Sequence, residues 1–172
     1  SSAIEQFGTE RGISFRRMGK IARLDLAVDG ADEVDEELRL IKGRGGALLR
    51  EKIVAQASER FVVIVDDSKL VDRLGQGSLP VEVTPFAADR LIMLFDSMGI
   101  DPNPRLGSAG WFITDEGNRI IDVSVPGDRD VADLVREMNR WAGVVETGFF
   151  PDETTCVIVA NEQGVRQIQR CE

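Results

Sequence analysis

The chain has 172 residues, of which 42% are hydrophobic and 30% charged, a composition typical of a globular protein with a buried core. Its 30 acidic and 21 basic side chains give a net charge of −9, which disfavours binding to a nucleic-acid backbone. No stretch approaches the roughly 18 consecutive apolar residues that a membrane-spanning helix needs, and residues 1–17 lack the pattern of a secretory signal. We therefore expect a cytoplasmic protein that binds neither nucleic acid nor membranes.

The absence of histidine limits the chemistry available to this chain. It excludes serine–histidine and cysteine–histidine nucleophile pairs and disfavours most zinc sites. Acid–base catalysis would have to use carboxylates or lysines. The two cysteines, Cys156 in an apolar run and Cys171 near the end of the chain, lack the spacing of a redox or metal motif. We expect both to be reduced and neither to be catalytic.

The first half of the chain alternates predicted strands with predicted helices. In chain order the pattern predicts a helix within residues 1–17, strands at Ile13–Phe15, Leu24–Val28 and Leu38–Ile41, a helix at Ala47–Ser58 and a strand at Phe61–Val65. Acidic or glycine-rich turns follow several of these strands. This order is typical of a parallel α/β sheet whose ligand crevice lies at the carboxyl ends of the strands.

After Pro80 the order of elements changes. The pattern predicts a strand at Val81–Thr84, a helix at Ala87–Met98, a hairpin of Trp111–Thr114 and Arg119–Val123, a helix at Asp130–Trp141 and a strand at Val144–Phe150. This β-α-β-β-α-β order is that of a ferredoxin-like unit. A further strand at Cys156–Ala160 and a turn at Asn161–Gly164 follow. We expect the boundary between two domains near Leu79–Val83, with the last strand returning to the first domain.

A glycine-rich loop with one lysine and one arginine, Lys42–Gly46, precedes the predicted helix at Ala47–Ser58. Closely approaching backbone N–H groups, two cations and a helix N-terminus together suit an anion or oxyanion site. The loop is neither a Walker A motif nor a dinucleotide-binding fingerprint. A tight connection made by glycines would explain it equally well.

Carboxylates and a further lysine surround this loop in the sequence. Asp29 and Asp32 follow a predicted strand, where α/β enzymes place reactive groups, although solvated capping carboxylates are the simpler interpretation. Glu51 lies in a mostly apolar segment, where partial desolvation would raise its pKa and make it a base for a carbon acid. The alternative for Glu51 is a salt bridge on a helix surface. Lys69 follows an apolar strand and is either a surface residue or a ligand in the same crevice.

Read together, four ordered motifs are more specific than any one of them. Val28–Glu33, Ile41–Lys52, Val65–Lys69 and Leu79–Val83 resemble, in residues and spacing, the ribose-5-phosphate isomerase type A family. Further similar segments, which extend the resemblance over nearly the whole chain, are Thr114–Asn118, Ile121–Val123 and Gly143–Val145. The resemblance implies an α/β fold: a three-layer, Rossmann-like parallel-sheet catalytic domain (residues 1–80 and 151–172) with a ferredoxin-like α+β lid (residues 81–150).

The activity that the resemblance implies is that of an aldose–ketose isomerase without metal or organic cofactor. It would interconvert D-ribose 5-phosphate and D-ribulose 5-phosphate in the non-oxidative branch of the pentose phosphate pathway, through a cis-enediolate. Glu51 matches the family's catalytic base, which moves a proton between C1 and C2. Asp29 matches the carboxylate associated with opening the furanose ring, and Lys42 the cation that stabilises the enediolate oxygen.

The resemblance also implies a set of substrate-binding residues, namely Gly30, Ala31, Asp32, Gly43, Arg44, Gly45 and Lys69. Among them, Asp32 would contact the sugar hydroxyls and the Gly43–Gly45 backbone would form a cradle. A homodimer or homotetramer is implied as well. The candidate subunit contacts are Trp111, Phe112, Phe149 and Phe150. The alternative for each is a place in the core of the lid, which we prefer for Trp111 and Phe112.

Two departures from the family pattern bear on the site. Position 44 is arginine where the family commonly has a small residue, so Arg44 either tightens the cradle or adds a phosphate contact. The family's Thr-Gly-Ser-Thr phosphate loop has no counterpart before Asp29. We expect the chain to be a fragment without the first βα unit, and the alternative is a shortened protein with an incomplete phosphate site.

Two non-enzymatic functions compete with the isomerase. The first is a sugar-phosphate-binding sensor on the same scaffold, since fold alone does not decide function. The second is an acidic interaction protein with vestigial motifs. The retained Glu51 and Lys42 favour the enzyme.

Overall fold

The computed structural model describes residues 2–16, 18–20 and 23–169, and Cys171 lies outside them. The helices described are α1 (Ser2–Thr9), α2 (Leu48–Gln56), α3 (Ala88–Ser97) and α4 (Val131–Met138), with 3-10 turns at Met18–Lys20 and Asp67–Lys69. The strands are β1 (Ala27–Asp29), β2 (Glu33–Val34), β3 (Leu40–Ile41), β4 (Phe61–Asp66), β5 (Ser78–Val83), β6 (Pro102–Pro104), β7 (Leu106–Gly107), β8 (Gly110–Trp111), β9 (Arg119–Ser124), β10 (Val144–Thr147), β11 (Phe149–Phe150), β12 (Cys156–Asn161) and β13 (Gly164–Gln169). None of the described helices has the length and apolar character needed to cross a membrane.

The first sheet has the strand order β1-β4-β12-β13. β1, β4 and β12 are parallel, and β13 pairs antiparallel with β12 at the edge. Alternate residues of β4 and β12, among them Val63, Val65, Val157 and Val159, are buried in one core with Ala55 of α2. The predicted parallel α/β arrangement is therefore confirmed, and its strands end at the edge where β1 presents Asp29.

The second sheet is antiparallel, with the order β10-β5-β9-β6. Counted along the chain, its strands stand in the order 4-1-3-2, and α3 and α4 contribute Leu91, Phe95, Leu134 and Met138 to one core with strands β5 and β9. This is the ferredoxin-like arrangement that the sequence predicts.

One predicted strand of this unit is wrong. The strand that pairs with β9 at the edge is Pro102–Pro104, whereas Trp111–Thr114 does not form a strand of this sheet. Gly110 and Trp111 instead pair locally with β7, and Ile113 makes only a single bridge to Arg119. Short strands that contain proline carry little hydrophobic signal, so the more apolar segment was the misleading one.

The ends of the described chain also differ from the prediction. No strand forms at Ile13–Phe15, whose side chains are exposed, and the predicted strand at Leu24–Val28 is reduced to β1, with Val28 half exposed. β13 was not predicted, because its sequence is mostly polar. A polar edge strand needs only backbone pairing to β12, so it leaves no apolar pattern.

A small three-stranded sheet, β11-β3-β2, joins the two larger sheets. The predicted strand at Val144–Phe150 is broken at Gly148, whose N–H donates to Pro80 O (2.8 Å) and whose carbonyl accepts from Lys42 N (2.8 Å). Phe149 and Phe150 are buried within the chain, so the expectation that they are subunit contacts is wrong.

Buried charged residues hold the same junction. Lys52 Nζ donates to Thr147 O (2.9 Å), Phe149 O (2.7 Å) and Glu146 Oε1 (2.7 Å), and Glu33 accepts from the N–H groups of Gly75 and Gly77. Because each buried charge has several partners, its desolvation is compensated. The junction next to Lys42 is therefore a rigid frame.

We predict that Gly148→Ala destabilises the fold. A Cβ at this position would lie 2.1 Å from Lys42 O, a contact that forces the backbone apart. The expected loss is about 1–3 kcal/mol in the free energy of unfolding, measured by urea denaturation. Gly127→Ala is the control, because a Cβ there meets open space, and it should change stability by less than about 0.5 kcal/mol. Wild-type stability in Gly148→Ala would show that this crossing does not constrain the fold.

Candidate active site

A cavity of about 210 Å³ opens where β1, β3 and α2 meet. Nine residues line it, and the sequence predicts all nine as site residues: Asp29, Gly30, Ala31, Asp32, Lys42, Gly43, Arg44, Gly45 and Glu51. The tenth predicted residue, Lys69, is not among the lining residues. The fold thus brings together three segments that are separated by up to 22 positions in the sequence.

Local structure places each polar group at the cavity. Asp29 is the last residue of β1, Lys42 directly follows β3, and Glu51 lies in the first turn of α2. The connection between β3 and α2 is the Lys42–Gly46 loop. Gly43 adopts a φ of +104°, and a Cβ there would lie 2.8 Å from Leu48 Cβ, so the loop requires glycine at this position.

The ammonium group of Lys42 is the centre of the site. Its side chain is only 4% exposed, and Nζ lies 2.9 Å from Asp29 Oδ2 and 3.2 Å from Glu51 Oε2 while donating to the carbonyl of Gly30. Because a buried cation is costly without partners, these contacts compensate for the burial of Lys42. The same charge can stabilise an oxyanion that forms in the cavity.

Glu51 has the features expected of a base. Burial raises the pKa of its carboxyl above the ordinary value of 4.5, the nearby Lys42 opposes this shift, and Asp29 adds to it. Within the described residues, Oε2 is buried without a hydrogen-bond partner, since its approach to Lys42 is an ion pair without hydrogen-bond geometry. Glu51 therefore retains the capacity to accept a proton.

Asp32 fixes the glycine loop from the cavity side. Its Oδ2 accepts from the backbone N–H of Arg44 (3.0 Å), whereas the Arg44 side chain is 75% exposed and its Nε lies 3.8 Å from Asp32 Oδ1. The Arg44 guanidinium is thus held only loosely. It is free to contact an anionic group at the mouth of the cavity.

Lys69 lies on the 3-10 turn after β4, beside Asp66 and Asp67. Its side chain is half-buried, and β4 is the parallel neighbour of β1. The turn therefore lies at the same edge of the sheet as Asp29, but Lys69 does not line the cavity. A role for Lys69 in binding stays a prediction.

Two further residues at the loop were not predicted as site residues. Arg105 Nη1 donates to Gly43 O (2.7 Å) and Arg44 O (3.1 Å), and its Nε donates to Asp122 Oδ2 (2.8 Å). Asp122 belongs to the Ile121–Val123 segment that the sequence analysis compared with the family without assigning a role. Nothing in the sequence near Arg105 distinguishes it from other arginines.

Two carboxylates at the cavity face the ammonium group of Lys42. Among the described residues there is no group of three or more His, Cys, Asp or Glu side chains positioned to hold a metal ion. Asp29 and Glu51 both face Lys42 Nζ. What the arrangement offers is a base with a raised pKa, a buried cation and a glycine loop around one small cavity, which suits proton transfer at a carbon acid.

Known proteins are similar to this chain in sequence and in fold. Residues 1–164 match the family model described as ribose 5-phosphate isomerase A (phosphoriboisomerase A). The chain is 48% identical over 151 residues to "Probable ribose-5-phosphate isomerase 2" of Arabidopsis thaliana, an alignment covering 83% of the chain and 57% of that protein. It is 46% identical over 178 residues to ribose-5-phosphate isomerase A of Rhodopseudomonas palustris (strain BisB5), covering 99% of the chain and 77% of that protein. It thus spans just over half of the first relative and about three quarters of the second.

A solved structure agrees with these sequence relatives. A D-ribose-5-phosphate isomerase in complex with phospho-erythronic acid superposes with a TM-score of 0.92 at 40% identity, covering 99% of this chain and 76% of that one. The match includes both the parallel sheet and the ferredoxin-like sheet, because nearly all of the chain is aligned. From its sequence and its fold, the chain belongs to the ribose 5-phosphate isomerase A family.

Proposed function

We propose that the chain is an aldose–ketose isomerase that interconverts D-ribose 5-phosphate and D-ribulose 5-phosphate, a step of the pentose phosphate pathway. The observation that carries the proposal is the pairing of Glu51 with the buried Lys42 at 3.2 Å. An aldose–ketose conversion needs a base for a weakly acidic C–H bond and a positive charge for the oxygen that becomes negative. These two groups supply both.

The first step of the proposed mechanism opens the sugar ring. Asp29 is 40% exposed, so it can reach a bound furanose, and Lys42 and the Gly30 N–H orient its carboxylate. Asp29 accepts the proton of the C1 hydroxyl as the C1–O4 bond breaks, and passes this proton to the ring oxygen, which becomes the C4 hydroxyl. The product is the open-chain aldehyde.

Proton transfer between the two carbons follows. Glu51 removes the proton from C2. A C1=C2 double bond forms as the C1=O1 π bond breaks, and negative charge collects on O1. Lys42 Nζ, which Asp29 and Glu51 hold at the cavity, stabilises this oxyanion. A proton passes from O2 to O1, and Glu51 returns its proton to C1, which yields the ketose. No external proton or electron is consumed.

Substrate positioning falls to the remaining cavity residues in this proposal. Asp32 faces the sugar hydroxyls, and the backbone of Gly30, Ala31, Gly43 and Gly45 shapes the cavity around them. Arg44 and Lys69 are the proposed contacts of the anionic end of the substrate. The exposed guanidinium of Arg44 has the reach for this role, because it is not locked in a buried ion pair.

Four further features of the proposal come from family membership. We propose a catalytic domain of residues 1–80 and 151–172 with a lid of residues 81–150, a homodimer or homotetramer, a cytoplasmic location, and catalysis that needs no metal or organic cofactor. The relatives are named as isomerases, and no observation favours the alternative of a non-catalytic sensor.

Replacement of the proposed base is the decisive test. Glu51→Gln should lower kcat by about 100-fold to 10,000-fold, because the amide cannot accept the C2 proton. The assay follows ribulose 5-phosphate formation from ribose 5-phosphate in the presence of EDTA.

The control for this variant is Glu59→Gln, which removes an exposed carboxylate paired with Arg23 outside the cavity and should leave kcat unchanged. Binding of ribose 5-phosphate, measured by calorimetry, should survive in Glu51→Gln. Equal loss of binding and turnover would contradict the assignment of Glu51 as the base. Tight binding without turnover in the wild type would support the sensor instead.

The pH dependence of kcat/KM tests the electrostatics of the site. Glu51 must be ionised to act, and its pKa is raised by burial, so activity should fall below a midpoint that lies above 4.5. Lys42 lowers this pKa and Asp29 raises it. The residual activity of Lys42→Gln should therefore show a midpoint at higher pH, and that of Asp29→Asn a midpoint at lower pH. Shifts in the same direction would contradict the assignment.

The stability of Glu51→Gln should change with pH in a defined direction. Because the pKa of Glu51 is higher in the folded than in the unfolded chain, its contribution to stability is present at low pH and is lost as pH rises through the folded value. Glu51→Gln, which stays neutral, should therefore unfold at a higher temperature than wild type at pH 7. The difference should vanish below pH 4.5, and a wild type more stable at pH 7 would contradict the shift.

A further inference from the structure

Arg105, in the connection between β6 and β7, joins the antiparallel sheet to the glycine loop of the cavity. Its Nη1 donates to both Gly43 O (2.7 Å) and Arg44 O (3.1 Å), while Nε and Nη2 donate to the two oxygens of Asp122 on β9. The Arg105 side chain is 15% exposed and that of Asp122 is 20% exposed. Such a largely buried, bidentate pair holds the guanidinium in one orientation.

The charge of this pair argues for orientation rather than for direct catalysis. Asp122 neutralises Arg105 at close range, so the pair adds little net charge to the site beside Lys42. Arg105 is also absent from the residues that line the catalytic cavity. It lines a small adjacent cavity of about 30 Å³, which shares Asp32 and Arg44 with the first. The loop backbone therefore lies between Arg105 and the proposed reacting atoms.

Two successive peptide units of the loop are fixed by these contacts. In the first unit, Gly43 O accepts from Arg105 and from Gly46 N (2.9 Å), and the N–H of Arg44 donates to Asp32. In the second unit, Arg44 O accepts from Arg105. Because the peptide bonds are trans, the N–H of Gly45 points away from the guanidinium, and within the described residues it has no hydrogen-bond partner.

The loop needs such a constraint because of its glycines. Gly43 and Gly46 have positive φ values, of +104° and +81°, and glycine peptide units have other conformations of similar energy. Phe112, directly after β8, packs onto Gly46, where a Cβ would lie 2.4 Å from the ring. Two side chains of one segment, Arg105 and Phe112, thus restrain opposite ends of the loop.

We propose that Arg105, oriented by Asp122, is a positioning residue that keeps the N–H of Gly45 turned toward the oxyanion formed in the cavity. This inference rests on the proposed isomerase function. Arg105 does not touch the substrate. It acts through the loop, and a preorganised N–H donor of this kind contributes most when the charge on the oxygen is greatest, which is in the transition state.

The test is the kinetics of Arg105→Ala. We expect kcat to fall by about 10-fold to 100-fold, as for other misplaced oxyanion donors, with KM changed by less than about 3-fold. The acid limb of the pH profile should not move, because Arg105 is not among the groups that shift the pKa of Glu51. Millimolar guanidinium ion should restore part of kcat, whereas Arg105→Lys should not, because one ammonium cannot span Asp122 and two carbonyls.

Arg73→Ala is the matched control. Arg73 also donates to backbone carbonyls, those of Pro126, Gly127 and Arg129, but at a distance from the glycine loop. This variant should keep the wild-type kcat and should not respond to guanidinium. Asp122→Asn, which preserves side-chain shape, should show a smaller fall in kcat at unchanged KM and serves as the test if Arg105→Ala does not fold.

The outcomes separate this inference from the proposed function. Wild-type kcat in both Arg105→Ala and Asp122→Asn, a rise in KM that accounts for the whole loss, or a shifted acid limb would overturn the positioning role while leaving the isomerase intact. A wild-type protein that neither turns over nor binds ribose 5-phosphate would overturn the proposed function itself. A kcat loss with guanidinium rescue would support both.

Discussion

The buried ammonium of Lys42 is the constraint on which the site depends. A lysine side chain that is only 4% exposed is tolerated only where opposite charges and carbonyls surround its ammonium group. The end of β1 supplies Asp29 and the Gly30 carbonyl, and the first turn of α2 supplies Glu51. These segments therefore have to converge, and their convergence forms the cavity. The contacts that compensate for the burial of Lys42 thus also assemble the catalytic arrangement, and Glu51 remains strained within it because its desolvation outweighs its attraction to Lys42.

A second buried lysine, ten positions later, shows what distinguishes the reactive group. Lys52 donates to two carbonyls and to Glu146, and its ammonium lies 4.9 Å from the ring of Phe150, whereas Lys42 lies 5.7 Å from the same ring. The partners of Lys52 belong to the junction of the sheets and are not among the residues that line the catalytic cavity. The partner of Lys42, Glu51, keeps one buried oxygen without a hydrogen bond. A buried ion pair whose polar atoms all have hydrogen-bond partners is structural. A pair that keeps one polar atom without a partner beside a cavity is able to react.

What can be predicted from the sequence depends on how far apart the interacting residues lie along the chain. The apolar runs of β4 and β12 are local patterns, and they predict the parallel sheet. The ten residues predicted for the site came from the resemblance to the family, and nine of them line the cavity. Pro102–Pro104 and β13 carry little apolar periodicity and were missed. The contact of Arg105 with Gly43 links positions 62 apart, and no local pattern encodes such a contact.

The acidic residues of the family motifs fall into a structural and a reactive group, according to whether the fold already uses their capacity to accept hydrogen bonds. Glu82, 1% exposed, accepts from Thr114 Oγ1 and Asn118 Nδ2, both at 2.9 Å, and Glu33 accepts from two backbone N–H groups. Both carboxylates bind neutral donors and close turns. Asp29 and Glu51 instead face a cation and open space. A carboxylate in a motif is thus not evidence of catalysis by itself. Its role follows from whether the fold has already used its capacity to accept hydrogen bonds, which only the three-dimensional arrangement shows.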